Sequence, residues 1–153
     1  MKILKLNKGI VKVDDEDFDL ISRYHWYNNH GYALNETVTD GKKVRLRMHR
    51  LILGKNAGKY TDHINGDKLD NQKHNLRACS NAQNMRNIPP KRQNSSGFKG
   101  VTWQKDCSRW KAQIKVDYKN IHIGIFKDKI DAARAYNNAA KIYFGEYAWL
   151  NTI

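Results

Sequence analysis

The stretch DHINGDKLDNQKHNLRACSNAQN, residues 62–84, places a carboxylate beside an imidazole and follows them with a tight turn and recurring side-chain amides. Histidine is the side chain whose unperturbed pKa lies near neutrality, so His63 can take a proton from a water molecule. A hard cation such as Mg²⁺ needs few protein oxygens, because it keeps several of its waters. Asp62 and Asn84 can supply those oxygens, and the stretch therefore predicts a site that hydrolyses phosphodiesters.

The spacing of these residues resembles that of the HNH endonucleases, in the branch found in phages and among intron-encoded homing enzymes. Asn75 follows Asp62 by 13 positions and Asn84 follows Asn75 by 9, as in that branch. The resemblance implies a strand, a loop and a helix folded around one metal ion, Mg²⁺ or Mn²⁺. It makes His63 the general base, Asp62 and Asn84 the metal ligands, and Asn75 the catalytic-site residue that braces the loop.

Ordinary structural roles compete with these assignments. Asp-His pairs and Asn-Gly turns occur in many loops, because Asn and Asp bond their own backbone. The complete spaced set favours the catalytic interpretation. We interpret His74 as a solvated side chain, and His49 in MHRLILG as part of a strand or short helix that packs against the metal motif. For Trp26, Tyr27 and Tyr32, core packing is favoured over a stacking surface.

The last third of the chain, from residue 97, resembles the DNA-binding domain of the plant ethylene-response-factor proteins, of the Apetala-two type. The matching positions are Gly100, Val101, Trp110, Ala112, Ile114, Gly124, Phe126, residues 132–136, Ala139, Ala140, Gly145, Ala148, Leu150 and Asn151. The resemblance implies a three-stranded antiparallel sheet packed on one helix, with the sheet laid in the major groove of DNA.

Residue patterns in the same region predict that sheet and helix independently. Residues 110–116 alternate apolar and polar side chains, which is typical of a half-buried strand. The pattern turns Trp110, Ala112, Ile114 and Val116 inward and leaves the lysines and glutamine between them facing a partner. A turn at 117–120 and a third strand at 121–126 follow. A helix then begins after Asp128 and stops at Gly145.

A sheet of this kind can read base edges with Lys, Arg, Gln and Thr side chains. The residues predicted to contact DNA are Lys99, Thr102, Trp103, Gln104, Lys105, Arg109, Lys111, Gln113, Lys115 and His122. Half or more of such contacts go to phosphate and sugar. The plant pattern has arginines where Thr102 and Gln104 stand, so its base preference does not transfer. Each lysine can instead be a solvated charge, and Trp103 a packed edge aromatic.

Composition favours a nucleic-acid partner. The 153 residues carry a formal net charge of +13, and polyanions attract such chains. Cys79 and Cys107 stand apart, so neither a zinc site nor a disulfide framework is predicted. The chain lacks a long apolar run and a signal-peptide core, which predicts a soluble protein without a membrane partner, located in the cytoplasm, that of a bacterial host if the gene is phage-encoded. The acidic run DDEDFD, residues 14–19, is expected to flank a helix and face away from DNA.

The predicted fold class is α+β, with three successive parts. Residues 1–87 form the nuclease domain, made of a β-rich part at 1–54 and a ββα-metal motif at 55–87. The β-rich part includes a hairpin whose strands, 31–38 and 44–51, flank the turn signal Asp40-Gly41. Residues 88–96, IPPKRQNSS, have the composition of a linker. Residues 97–153 form the sheet-and-helix DNA-binding domain.

Together these features predict a metal-dependent DNA endonuclease of the HNH homing type. It would hydrolyse a phosphodiester of double-stranded DNA with a His general base and one divalent metal, as a nickase or a double-strand cutter. The alternative is a non-catalytic DNA-binding regulator in which the HNH-like segment is a scaffold, and a third hypothesis is a nucleoid or RNA-binding protein. The sequence leaves the oligomeric state open, a monomer included.

Overall fold

The computed structural model describes residues 1–153 and divides the chain into two units, Met1–Asn84 and Met85–Ile153. Both units combine helices with small antiparallel sheets, in agreement with the predicted α+β class. The boundary lies close to residue 87, the predicted end of the nuclease domain. None of the helices has the length and apolar composition needed to cross a bilayer.

The first unit consists of short strands and short helices. The strands are β1 (Lys2–Lys5), β2 (Ile10–Val13), β3 (Tyr27–Asn29), β4 (Tyr32–Thr39), β5 (Lys42–Arg47), β6 (Tyr60–His63) and β7 (Leu76–Cys79). The helices are α1 (Phe18–Ile21), α2 (Met48–Leu53) and α3 (Asn81–Arg86), whose last two residues are counted in the second unit. Strand β1 pairs with β2 and β6 with β7, while β4 lies between β3 and β5, and every pairing is antiparallel.

The core of the first unit forms around strand β2. Val11 and Val13 are fully buried and Lys12 between them is exposed, which is the two-residue period of a strand with one covered face. Trp26 belongs to the same core, and its indole nitrogen donates a hydrogen bond of 2.7 Å to the Ile21 carbonyl oxygen. The prediction that Trp26 is a core residue is therefore confirmed.

The predicted hairpin around Asp40-Gly41 is present, but its second strand is shorter than expected. Asp40 and Gly41 have positive φ angles of 51° and 71°, as both central residues of a type I′ turn require. The strand predicted over residues 44–51 ends at Arg47, and α2 follows. Met48 and Ile52 are both buried at the four-residue spacing of a helix, so this apolar run packs as a helix instead of extending the strand.

The second unit contains the predicted three-stranded antiparallel sheet packed on one helix. The strands are β8 (Val101–Gln104), β9 (Arg109–Val116) and β10 (Lys119–Phe126), in the spatial order β10-β9-β8. Helix α4 (Lys129–Phe144) contacts all three strands. The side chain of Asp128 caps its first turn, and Gly145 follows its last residue, as the sequence predicted.

Small residues let α4 lie close against the sheet. Ala132 and Ala133 on the helix and Ala112 in β9 are fully buried. Gly100, just before β8, also lies against the helix: its φ angle is 76°, and a Cβ atom there would lie 2.0 Å from the Tyr136 ring. Only glycine fits there, because any side chain would need a left-handed backbone and would overlap the ring.

The segment predicted to be a linker, residues 88–96, is counted in the second unit. The ammonium group of Lys99 donates a hydrogen bond of 2.7 Å to the Ile88 carbonyl oxygen. Ser96 is buried, and its hydroxyl donates a hydrogen bond of 2.8 Å to the Val101 carbonyl oxygen. Prolines and small polar residues are typical of flexible linkers, but here the polar groups of the segment bond to neighbouring parts of the unit.

Candidate functional site

Asp62 and His63 end strand β6, and both side chains are buried. Strand β6 pairs with β7 so that Asp62 faces Arg77 and His63 faces Leu76. The guanidinium of Arg77 donates two hydrogen bonds to Asp62 Oδ2, from Nε at 2.9 Å and from Nη2 at 2.7 Å. A buried charge requires a partner, and this cross-strand pair supplies one to each residue.

Burial sets the protonation state of the candidate base. It lowers the pKa of His63 below the ordinary 6.5, against the opposing effects of the Asn71 amide and the Asp62 carboxylate. The imidazole is therefore neutral at pH 7, which is the form that can accept a proton.

An aromatic cluster supports the imidazole of His63. The ring of His49 lies edge-on to it, with 5.1 Å between centroids, and Tyr32 lies 5.7 Å from His49 and 6.1 Å from His63. His49 is buried, and the prediction that it packs against the metal motif is confirmed. Tyr32 is half-buried, and the ammonium of Lys68 lies 4.4 Å from the centre of its ring.

Asn75 connects the two ends of the loop that follows His63. Its side-chain oxygen accepts a hydrogen bond of 2.9 Å from the Asn65 backbone N–H, and its side-chain nitrogen donates one of 2.8 Å to the Asp70 carbonyl oxygen. Its own carbonyl oxygen accepts from the Ile64 N–H at 2.9 Å. These three hydrogen bonds connect Asn75 to the start and the middle of the loop, which is the position that a bracing residue requires. His74 beside it is exposed, as predicted.

The acidic run of the N-terminal segment contacts the same loop. Residues Asp15–Asp17 form a short 3-10 turn that leads into α1, as predicted. The carboxylate of Asp14 accepts hydrogen bonds from the Gln72 side chain at 3.0 Å and from the Lys73 N–H at 2.8 Å. Asp14 thus holds the part of the loop at Gln72 and Lys73, a role that the sequence did not predict.

Helix α3, which follows β7, carries the second candidate metal ligand. Ser80 and Gln83 form reciprocal hydrogen bonds at its start, from the Ser80 N–H to the Gln83 side chain at 2.8 Å and from the Gln83 N–H to the Ser80 hydroxyl at 3.2 Å. This capping box fixes where the helix begins, and half-exposed Asn84 is the next residue. The pattern S-x-x-Q marks this helix start in the sequence.

The two predicted metal ligands carry oxygen donors of the type that magnesium prefers. No group of three or more His, Cys, Asp or Glu side chains that could hold a metal occurs in the chain. Mg²⁺ does not require such a group, since one or two protein oxygens and several waters suffice. A carboxylate at Asp62 and an amide oxygen at Asn84 are donors of that hard type.

Most of the residues predicted to contact DNA share one face of the second unit's sheet, because cross-strand partners lie on the same side. Gln104 pairs with Arg109, Thr102 with Lys111, and Gln113 with His122. We call this the polar face of the sheet, made up of Thr102, Gln104, Arg109, Lys111, Gln113, Lys115 and His122. The opposite face packs against α4.

Three of the ten predicted DNA contacts lie elsewhere. Trp103 is the cross-strand partner of Trp110 and contacts it edge-on at 4.9 Å between ring centroids, on the side of the sheet that carries α4. Lys99 precedes the sheet, and burial lowers its pKa to about 8. Lys105 is exposed in the turn between β8 and β9.

The polar face also includes two residues that the sequence analysis missed. Asn120 pairs with Lys115, and Ile125 pairs with Lys111, so both lie among the predicted contacts. Ile125 reaches that face because the register of β10 shifts between His122 and Gly124. Simple alternation assigns Ile125 to the buried face, and Gly124 inside the strand is the local signal of the shift.

Both parts of the chain are similar to known proteins. A family profile described as HNH endonuclease matches residues 48–86. The chain is 30% identical over 140 residues to the "Uncharacterized HNH endonuclease L560" of Acanthamoeba polyphaga mimivirus, a match that covers 90% of this chain and 72% of that protein. It is 34% identical over 62 residues to "Protein 3.8" of Escherichia phage T7, covering 40% of this chain and 51% of that protein.

The C-terminal region is similar to plant proteins. "APETALA2-like protein 2" of Oryza sativa is 42% identical to this chain over 59 residues, which cover 37% of this chain and 13% of that protein. An "Ethylene-responsive transcription factor-like protein" of Arabidopsis thaliana is 39% identical over 61 residues, covering 34% of this chain and 27% of that protein. The two resemblances inferred from the sequence are thus confirmed.

Because His49 is buried, we expect the free energy of unfolding of the first unit to fall in acid. Burial, with the neighbouring His63 and arginines, lowers the pKa of His49 to about 3. Below pH 6.5 the unfolded chain gains a proton that the folded chain does not bind, so the free energy of unfolding should fall by about 2 kcal/mol between pH 6.5 and 5 from this group. Urea unfolding, followed through the NMR signal of the Trp26 indole N–H, measures this loss.

Replacing the ring isolates the contribution of His49. His49→Phe keeps an aromatic ring without a titratable nitrogen, so the loss of unfolding free energy between pH 6.5 and 5 should shrink by about 2 kcal/mol. His74→Phe, at an exposed position, is the matched control and should keep the wild-type pH dependence. An unchanged pH dependence in His49→Phe would contradict the assignment.

Proposed function

Because this chain belongs to the family of HNH endonucleases, we propose that it is a metal-dependent DNA endonuclease of the homing type, with His63 as the general base. The observation that carries the proposal is the burial of a neutral imidazole beside the Asp62 carboxylate at the end of β6. These two residues lie on β6 and Asn84 lies on α3, with β7 between the two elements along the chain.

The reaction is hydrolysis of a phosphodiester. His63 takes a proton from a water molecule, the water oxygen forms a bond to phosphorus, and the bond from phosphorus to the leaving 3′ oxygen breaks in line with it. Asp62 and Asn84 would hold one Mg²⁺ or Mn²⁺, which supplies positive charge for the phosphate and the leaving oxygen. Asn75 keeps the loop closed, so that His63 stays at the strand end from which it acts.

The second unit supplies affinity for double-stranded DNA. Its polar face carries the cations Arg109, Lys111 and Lys115, with amide and hydroxyl groups that can bond to base edges. The formal net charge of +13 adds a sequence-independent attraction to phosphates. We propose that this sheet lies in the major groove and directs the nuclease to its site, and that no membrane is involved. A phage-encoded copy would act in the cytoplasm of its bacterial host.

One observation favours a second candidate, a non-catalytic DNA-binding regulator. The double hydrogen bond from Arg77 gives the Asp62 carboxylate a structural partner, which explains its burial without any metal. In that case the HNH segment is a scaffold for DNA binding. Metal-dependent cleavage separates the two candidates, because a scaffold has no use for a base or for a divalent ion.

We expect loss of the base to remove cleavage without removing binding. His63→Ala should lower the rate of plasmid nicking by roughly 100-fold or more, in the range that general-base catalysis contributes. The affinity for duplex DNA, measured in EDTA, should be unchanged. His74→Ala is the matched control, since His74 is an exposed histidine of the same loop. Parallel loss of binding and nicking in His63→Ala would assign His63 a structural role.

Cleavage should depend on a divalent metal. Nicking should stop in EDTA and return with excess Mg²⁺ or Mn²⁺, and Asp62→Ala should imitate the chelator at every metal concentration. DNA binding should survive in EDTA. Nicking that persists in EDTA contradicts the metal assignment, and the absence of nicking with every divalent ion supports the regulator.

The polar face should determine the salt dependence of binding. In Lys111→Gln with Lys115→Gln, a plot of log affinity against log salt for duplex DNA should become less steep by about 2, one for each lost phosphate contact. Lys129→Gln with Lys141→Gln makes the same charge change on exposed positions of α4, and is the control. Equal effects of the two pairs would show that the sheet is not the DNA-binding face.

A further inference from the structure

Ile125 is an exposed apolar side chain on the polar face of the sheet, and the function described above gives it no role. Its exposed fraction is 46%, and its cross-strand partner is Lys111. We propose that Ile125 is a specificity-determining residue that contacts the C5-methyl group of a pyrimidine in the major groove, which is thymine in unmodified DNA. This inference rests on the proposed binding of double-stranded DNA by the polar face.

The surroundings of Ile125 differ from those of the other isoleucines in β10. Ile121 and Ile123 pack against the apolar clusters between the sheet and α4. Ile125 packs against neither cluster, because it lies beside Lys111 on the opposite side of the sheet. Its side chain therefore adds nothing to the core of the unit, and its apolar surface is available to a partner.

The register shift in β10 puts Ile125 on this face. The shift falls between His122 and Gly124, so that Gly124 pairs with Ala112 and Ile125 pairs with Lys111. Without the shift, Ile125 would face α4. Irregularities of this kind redirect side chains beside functional sites. The strand itself does not require an apolar residue here, since threonine has a similar preference for strands.

The residues around Ile125 favour nucleic acid as the partner. Lys111 pairs with Thr102 on one side and with Ile125 on the other, so the three residues form one row across the sheet. Direct cross-strand partners lie about 5 Å apart at their Cβ atoms. Arg109 and Lys115 lie on the same face of β9. An apolar side chain among three cations fits a polyanion that also offers an apolar group, and does not fit an apolar protein surface.

Thymine is the base that offers such a group in the major groove. Guanine, adenine and cytosine present hydrogen-bond donors and acceptors there, whereas thymine adds the C5-methyl group. An apolar side chain placed against a donor or an acceptor leaves that group without a hydrogen bond, which weakens binding. Ile125 would therefore favour thymine by contact and disfavour the other bases by desolvation. The same methyl group occurs in 5-methylcytosine, so the recognised chemistry is the methyl.

Binding of the full chain to duplex DNA in EDTA tests the inference without cleavage. Repeated selection from a pool of duplexes with a random segment supplies the preferred site. Each thymine of that site is then replaced in turn by uracil, which removes the methyl and keeps every hydrogen-bonding group. We expect the replacement of one thymine to weaken binding by roughly 3-fold to 10-fold, the effect of losing one methyl contact.

Substitutions assign this effect to Ile125. Ile125→Ala shortens the side chain, so it should bind the thymine and uracil duplexes equally. Ile125→Val keeps a branched apolar side chain and should still prefer thymine. Ile142→Ala, at an exposed position of α4, is the matched control and should discriminate as the wild type does. The coupling between methyl and side chain is read from the double-mutant cycle of protein and DNA.

A comparison of 5-methylcytosine with cytosine at the same position distinguishes the two sources of the methyl. Tighter binding of the methylated duplex would show that both methylated pyrimidines are recognised. Equal binding would restrict the contact to thymine. If Ile125→Ala does not fold, NMR of the wild-type complex decides the contact. A nuclear Overhauser effect between the Ile125 and thymine methyl groups is expected, and its absence overturns the inference.

The outcomes separate this inference from the proposed function. A selected site at which no uracil replacement weakens binding overturns the inference alone, and so does an equal loss in wild type and in folded Ile125→Ala. A full chain that selects no sequence overturns the proposed targeting by the second unit, and this inference with it. If nicking fails with every divalent ion, the nuclease function is overturned, while a methyl effect that depends on Ile125 still supports the inference.

Discussion

The buried ion pair between Asp62 and Arg77 is the interaction on which the candidate site depends. Two charges removed from water must be matched by each other and by hydrogen bonds, and direct pairing of β6 with β7 provides the match. A register shift of one residue would turn the side chains of a strand to the opposite face. The register that pairs the two charges also places His63 at the start of the loop that follows β6.

The loop between β6 and β7 is held by polar contacts instead of an apolar core of its own. Buried backbone groups must find partners, and in this loop Asn and Asp side chains supply partners alongside backbone carbonyl oxygens. Asn75 joins its two ends, Asp14 accepts from the Lys73 N–H, and the Asn71 side chain contacts His63. The many amides in this short stretch are thus a structural requirement as well as a chemical one. They allow a long loop to keep one conformation beside a buried imidazole.

In the second unit the two faces of the sheet differ, since one packs against α4 and the other carries polar side chains. Alanines and Gly100 bring α4 close to the inner face, and this packing leaves the other face to cations, amides and hydroxyls. The alternation of β9 was sufficient to predict this separation. It was not sufficient for every residue, since Ile125 joins the polar face through the register shift in β10, and Trp103 turns to the side of Trp110.

The sequence by itself determined the α+β class, the three-stranded sheet with one helix in the second unit, the hairpin turn at Asp40-Gly41, and the limits of α4. These features depend on local signals, namely hydrophobic period, capping residues and turn residues, which act over a few positions of the chain. The spacing of Asp62, Asn75 and Asn84 likewise identified the family before any contact was known. Residue types and intervals are sufficient for such conclusions.

Only the tertiary structure decided which residues surround His63. Arg77 as the partner of Asp62, His49 against His63, and the docking of β2 on the loop all join residues that are distant in the chain. The same holds for Lys99, whose ammonium bonds to backbone oxygens. Strand register, burial and the direction of each side chain arise from packing of the whole unit, and a residue's neighbours in sequence carry little information about them.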